Sequence, residues 1–190
     1  VLSKNLDDLE EAKLFNESCS KVVRQYPKRL IGFASTLPLR GKPALDEMER
    51  AVRDFGMKGV TIRAQEDGQA LDSREFWPFY EKVLQLNVPI FVHVSLAAPG
   101  FDACNAPYDL TRTIVREFDL ALATSRICLG GVLEEFPELK FIIGHFGGGI
   151  SAIKERLDRY INYWGAKFWN DKPLISEPYL DRFNEYFGKL

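Results

Sequence analysis

Apolar residues along this chain follow two alternating patterns: stretches with helical spacing, and short solid runs of four or five. From Asp7 to Tyr26, Leu9, Ala12, Leu14, Val22 and Val23 fall broadly on one side with charges elsewhere, which predicts a helix that Pro27 ends. Leu30-Ile31-Gly32-Phe33-Ala34 predicts a strand and Thr36-Leu37-Pro38 a loop. A second helix is expected over Pro43 to Phe55, with proline suited to its first turn and Gly56 to its end. Gly59-Val60-Thr61-Ile62-Arg63 is the next strand, Asp67-Gly68 a turn, and Asp72 or Ser73 a cap for a helix running through Phe76, Tyr80 and Val83 to about Leu86. A strand ending at His93 follows, then an irregular stretch from Ala97 to Pro107 and a helical region from about Leu110 to Phe136, broken at Gly130-Gly131. The strand before His145 and a helix from about Ile150 to Trp164 complete the series, with no internal repeat.

Short runs rich in β-branched and aromatic residues are typical of strands buried on both faces, and four of them separated by helical crossovers call for parallel pairing. Two α/β architectures satisfy that order, a doubly wound open sheet and a (β/α)8 barrel. The length of 190 residues favours the open sheet, because a barrel takes about 250. Against it, Thr36-Leu37-Pro38-Leu39 lacks the glycine-rich turn of a dinucleotide binder, and Gly147-Gly148-Gly149 lacks the GxGxxG spacing.

An apolar content of 46% with 27% charged residues supports one sizeable core, so residues 1–190 are expected to form a single domain. The net charge of -2 provides no basic field for nucleic acid. No apolar run approaches the roughly 20 residues of a membrane span, and Val1-Leu2-Ser3-Lys4-Asn5 has no signal-peptide pattern, so the expected compartment is the cytoplasm. Cys19, Cys104 and Cys128 form no CxxC pair and read as reduced thiols.

Candidate chemistry concentrates on two histidines, the only ones in the chain. Pro89-Ile90-Phe91-Val92 leads into His93, and Lys140-Phe141-Ile142-Ile143-Gly144 leads into His145. Side chains at the carboxyl ends of parallel strands face the active-site mouth of α/β enzymes. An imidazole there can ligate a borderline metal or transfer a proton near neutrality. The alternative is a pair of core histidines donating to carbonyls. Arg63, ending its own strand, could clamp an anionic substrate or form a surface ion pair.

The ordered blocks Arg29–Pro38, Gly59–Ile62, Asp67–Asp72, Glu75–Pro78, Pro89–His93, Gly130–Pro137 and Gly144–Gly149 resemble the metal-dependent amidohydrolases. The likeness is to the aminocarboxymuconate-semialdehyde decarboxylase-like branch, which also includes the resorcylate and dihydroxybenzoate decarboxylases. It runs from about Arg29 to Arg159. It implies a (β/α)8 TIM barrel of which this chain is a central slice, with two open strand edges. In that family a divalent metal, commonly zinc or manganese, is held by a first-strand HxH or ExH pair, the histidine ending the fifth strand and an aspartate on the eighth. His93 matches the fifth-strand ligand, and His145 the sixth-strand histidine that orients or protonates the reacting group. The other ligands have no match: no HxH exists here, neither Asp171 nor Asp181 ends an apolar strand, and Val94 stands where proline often follows the ligand.

The resemblance implies a lyase that removes CO₂ from a small aromatic or unsaturated acid, using one divalent metal ion, zinc first and manganese as the alternative. A hydrolase or hydratase using metal-activated water is the enzyme alternative, and a non-catalytic partial barrel or assembly subunit the alternative from another class. Glu75-Phe76-Trp77-Pro78 is expected to pack in the core. Gly147-Gly148-Gly149 is either a carboxylate nest or a tight turn, and Leu96 to Tyr108 is a candidate substrate wall. The aromatics Tyr160, Tyr163, Trp164, Phe168, Trp169, Tyr179, Phe183, Tyr186 and Phe187 suggest packing or a subunit interface, hence a homodimer.

Overall fold

A computed structural model of the chain describes residues 8–95 and 108–163. Its first helix, α1 (Leu9–Gln25), starts where the Asp8 carboxylate accepts a hydrogen bond from Glu11 N at 2.7 Å, with Glu10 and Glu11 in the first turn. Next come β1 (Ala34–Ser35), α2 (Lys42–Arg53) and β2 (Val60–Arg63). A small antiparallel hairpin, β3 (Gln65–Glu66) and β4 (Gln69–Ala70), follows β2 and turns at Asp67-Gly68, both with positive φ. That pair of left-handed residues is what an Asp-Gly hairpin turn requires. The chain continues through α3 (Trp77–Leu86), β5 (Ile90–His93), α4 (Val115–Leu129), α5 (Val132–Glu135) and β6 (Phe141–Ile143). One short turn (α6, His145–Gly148) and α7 (Ile150–Tyr163) end the described residues.

The main sheet is wholly parallel and runs β1-β2-β5-β6, each new strand joining beside its predecessor. A doubly wound sheet reverses its order at a switch point, whereas a barrel advances in one direction. The described strands advance, and their helices cover one face. Val60, Ile62, Ile90 and Val92 point into a core with Met48 and Ala51 of α2, Phe79, Tyr80 and Val83 of α3, and Leu120, Ala123 and Ile127 of α4. Phe76, Trp77, Tyr80 and Phe136 pack ring against ring in it, and the buried Tyr80 hydroxyl donates to the Leu71 carbonyl at 2.6 Å. The aromatic segment after Glu75 is thus structural, as expected.

Several local expectations differ. The first strand begins at Ala34 rather than Leu30, because pairing with β2 starts there and Leu30 and Ile31 remain exposed. Neither Asp72 nor Ser73 caps α3 through its side chain: Asp72 binds Arg126 Nε at 2.6 Å, a partner 54 positions away, and a short 3-10 turn precedes the helix. On the outer edge of β1, the buried Asn16 amide accepts from Ser35 N at 2.9 Å and donates to Ser35 O at 3.2 Å. A side chain from α1 thereby pairs the backbone of β1 at an edge that no other described strand occupies. Cys19 and Cys128 are free thiols, and Cys104 lies outside the described residues.

Candidate active site

Parallel register sets the site. Residues aligned across parallel strands share a face, and Arg63 of β2 lies opposite His93 of β5, both at the carboxyl ends of their strands. β5 alternates sharply: Ile90 and Val92 are fully buried against the helices, while Phe91 and His93 are half-buried on the concave side. Three backbone amides steady this rim by donating hydrogen bonds, two to backbone carbonyls and one to a side chain: Ala64 N to His93 O at 2.8 Å, Gly144 N to Val92 O at 2.9 Å, and Ser95 N to the buried Asp119 carboxylate at 3.0 Å. Rings line the concave face in a row, Phe33 to Phe91 at 6.4 Å, Phe91 to His93 at 5.9 Å, and His93 to His145 at 5.6 Å between centroids.

The two candidate histidines therefore meet edge to face, at 77°. His145 reaches His93 by an unusual backbone path. His145, Phe146, Gly147, Gly148 and Gly149 all have positive φ (49°, 53°, 77°, 62° and 80°), making a single left-handed turn directly after β6. Two of the five are not glycine, a conformation that costs energy and clusters at functional sites. Gly148 must be glycine for a second reason: a Cβ there would collide with the Glu117 carbonyl oxygen of α4. With α4 packed so closely, Glu117 Oε1 lies 2.7 Å from His145 Nδ1, and Arg116 Nε lies 3.4 Å from the same oxygen. The glycine run is a left-handed turn that admits a helix, and no bound anion is needed to account for it.

Burial, the neighbouring His145 ring and the Arg116 guanidinium hold the His93 pKa below its ordinary value, with a Val94 backbone hydrogen bond opposing them. A lowered pKa favours the neutral imidazole, the form that ligates metals. His93 thus fits one position of a metal site. Among the described residues no group of three or more His, Cys, Asp or Glu side chains converges in a metal-holding arrangement, so they do not by themselves make a complete one. Asp171, Asp181 and, of the candidate substrate wall from Leu96 to Tyr108, all but Tyr108 lie outside the described residues. Arg63 is half-buried at the rim and near Glu66, whose carboxyl burial raises to about 7, against a Leu39 N hydrogen bond and the Arg40 and Arg63 charges.

Glu117, Arg116, Asp119 and Glu66 were not among the sequence candidates. Asp119 had a readable signal: it sits between Val115 and Ala123 at i+4 spacing on the buried stripe of α4, a carboxylate where an apolar residue is the rule. Glu117 had none, since its approach to His145 depends on Gly148.

The family model described as Amidohydrolase matches residues 7–189. The chain belongs to the amidohydrolase family. Relatives of this amidohydrolase chain include the 2-amino-3-carboxymuconate-6-semialdehyde decarboxylase of Dictyostelium discoideum, 28% identical across 99% of this chain and 50% of that protein. The gamma-resorcylate decarboxylase of Polaromonas sp. strain JS666 is 30% identical across 94% of this chain and 56% of that one. A 2-keto-4-carboxy-3-hexenedioate hydratase of Sphingobium sp. strain SYK-6 is 29% identical across 90% and 47%. The solved dihydroxybenzoic acid decarboxylase from Polaromonas sp. JS666, with bound manganese and the inhibitor 2-nitroresorcinol, superposes with a TM-score of 0.74 at 25% identity, over 93% of this chain and 55% of that one. The parallel arc is therefore part of a (β/α)8 barrel fold, as the resemblance implied and against the length argument. The chain spans about half the length of the curated relatives it matches.

Proposed function

We propose that the chain carries the proton-transfer half of a metal-dependent decarboxylase acting on a small aromatic or unsaturated carboxylic acid. The observation that carries this reading is the pairing of His93 and His145, 5.6 Å apart at the carboxyl ends of adjacent parallel strands. Their neighbourhood adds a cation, Arg63, level with His93. Decarboxylases among the relatives, from aminocarboxymuconate semialdehyde to resorcylate, support the substrate class.

His93 would hold the divalent metal, which when bound anchors and polarises substrate oxygens. Arg63 pairs with a substrate carboxylate. In its imidazolium form His145 delivers the Nε2 proton to the carbon bearing the leaving carboxylate and keeps its Nδ1 hydrogen, the carbon–carbon bond breaks, its electron pair returns to the unsaturated system, and CO₂ departs. Zinc is the ion that imidazole chemistry favours, whereas manganese occupies the solved Polaromonas relative.

A hydratase is the second reading, favoured specifically by the 2-keto-4-carboxy-3-hexenedioate hydratase relative. The discriminating experiment incubates the chain, with zinc or manganese supplied, against carboxylated phenols and unsaturated keto-dicarboxylates. CO₂ release without hydrated product supports the decarboxylase. Hydrated product without CO₂ replaces it with the hydratase, and neither product favours a non-catalytic partial barrel.

A single domain and a cytoplasmic setting complete the proposal; among the described residues no helix is long and apolar enough to cross a membrane. So does a homodimer, supported by Ile114, Phe118 and Leu122, spaced four apart and about half exposed at and along α4 (49%, 52% and 54%). Of the aromatics that suggested it, Tyr160 and Tyr163 fall in the last turns of α7, and those from Trp164 to Phe187 lie outside the described residues.

A further inference from the structure

From the packing around the left-handed turn we infer that Glu117 is a positioning residue that fixes the tautomer and direction of the His145 ring. The inference rests on His145 being the proton-transfer group, but its physical content can be read without turnover. A carboxylate oxygen 2.7 Å from Nδ1 can only accept, so Nδ1 carries the hydrogen and Nε2 is left to face the reacting molecule. At that length the bond is of the charge-assisted kind.

The carboxylate is itself restrained. Glu117 is about one-third exposed, its Oε1 is shared between the His145 ring and the Arg116 guanidinium, and its helix is pressed onto Gly148. Arg116 supplies charge rather than a hydrogen bond, since its Nε has no hydrogen-bond partner. His145 in turn has a backbone no ordinary strand end would adopt, with φ of 49°. The left-handed turn aims the ring back toward α4, and Glu117 is what it meets there. Without that acceptor the ring, 29% exposed, is free to rotate, and Nε2 no longer faces the carbon it protonates.

With only two histidines in the sequence, imidazole ¹⁵N spectra of the whole chain contain two ring systems and are directly assignable. At a pH where both rings are neutral, native His145 is expected to show a protonated Nδ1 and a bare Nε2. In Glu117→Ala the His145 ring should shift toward the other tautomer while His93 stays as it was. In the CO₂-release assay kcat should fall about 10- to 100-fold, the range typical of residues that orient a site imidazole, with KM hardly moved. Glu117→Gln keeps an acceptor oxygen and should restore both the native tautomer and most of the rate. A bare Nδ1 in the native chain, an unchanged His145 spectrum in Glu117→Ala, or a Glu117→Gln variant no better than Glu117→Ala would each overturn the inference; the native spectrum alone suffices if Glu117→Ala fails to fold. Should the native chain release no CO₂ while the tautomer still tracks position 117, the decarboxylase reading fails and the positioning role stands.

Discussion

The convex and concave faces of the parallel sheet are made from alternate residues of the same strands, yet they do opposite work. On the convex face Val60, Ile62, Ile90 and Val92 are buried within the hydrophobic core beneath the helices. On the concave face Phe91, His93 and Arg63 are half-buried, and Ile142 is 43% exposed. The convex side is where burial supplies stability; the concave rim is where polar groups stay accessible and where strain is concentrated, at His145 and Phe146. Stability and chemistry are thereby separated by the pleat of the strand, one residue apart.

The strongest way to break that separation is His145→Asn. Its side chain is 29% exposed and makes no core contact of the kind Tyr80 makes, so the expected result is a loss of CO₂ release of about 10²- to 10⁴-fold, the usual worth of a general acid, with an unchanged unfolding midpoint. A large drop in that midpoint would show that the rim is structural after all. Phe79→Ala tests the opposite face: Phe79 is fully buried, and emptying its site should cost about 3–5 kcal/mol in denaturant unfolding. A smaller loss would mean that the helix layer is loosely packed.

Glu66 sharpens the comparison, because it is a buried carboxyl close to the rim rather than in the core. Burial raises its pKa to about 7 from 4.5. The folded state therefore holds this proton more tightly than the unfolded chain, and the associated stability is complete below pH 4.5 and lost as pH rises through 7. Glu66→Gln removes that loss. At pH 8 the variant should be more stable than the native chain by up to about 3 kcal/mol, and at pH 4 the two should coincide. Equal stability at both pH values would show that the Arg40 and Arg63 charges already offset the burial.

Much of the fold was legible locally. Pro27, Gly130-Gly131 and Asp67-Gly68 act within a few residues of themselves, through helix breaks and left-handed turns, so their positions in the sequence suffice to place them. Where a partner lay far along the chain, local reading missed it. Asp72 looked like a cap and instead binds Arg126; Leu30 looked like a strand start, but among the described residues pairing begins only at Ala34.

The same division holds at the site. From the sequence alone came two histidines ending buried parallel strands, and with them the candidate chemistry, because strand ends in such sheets open on a common mouth. Only the tertiary structure decided that the rings meet at 5.6 Å, that Arg63 stands level with His93, and that Glu117 backs His145. Those facts depend on strand register and on how near α4 can approach Gly148. Distances of that kind arise from side chains packing across 28 or more positions of sequence, where periodicity and spacing carry no information.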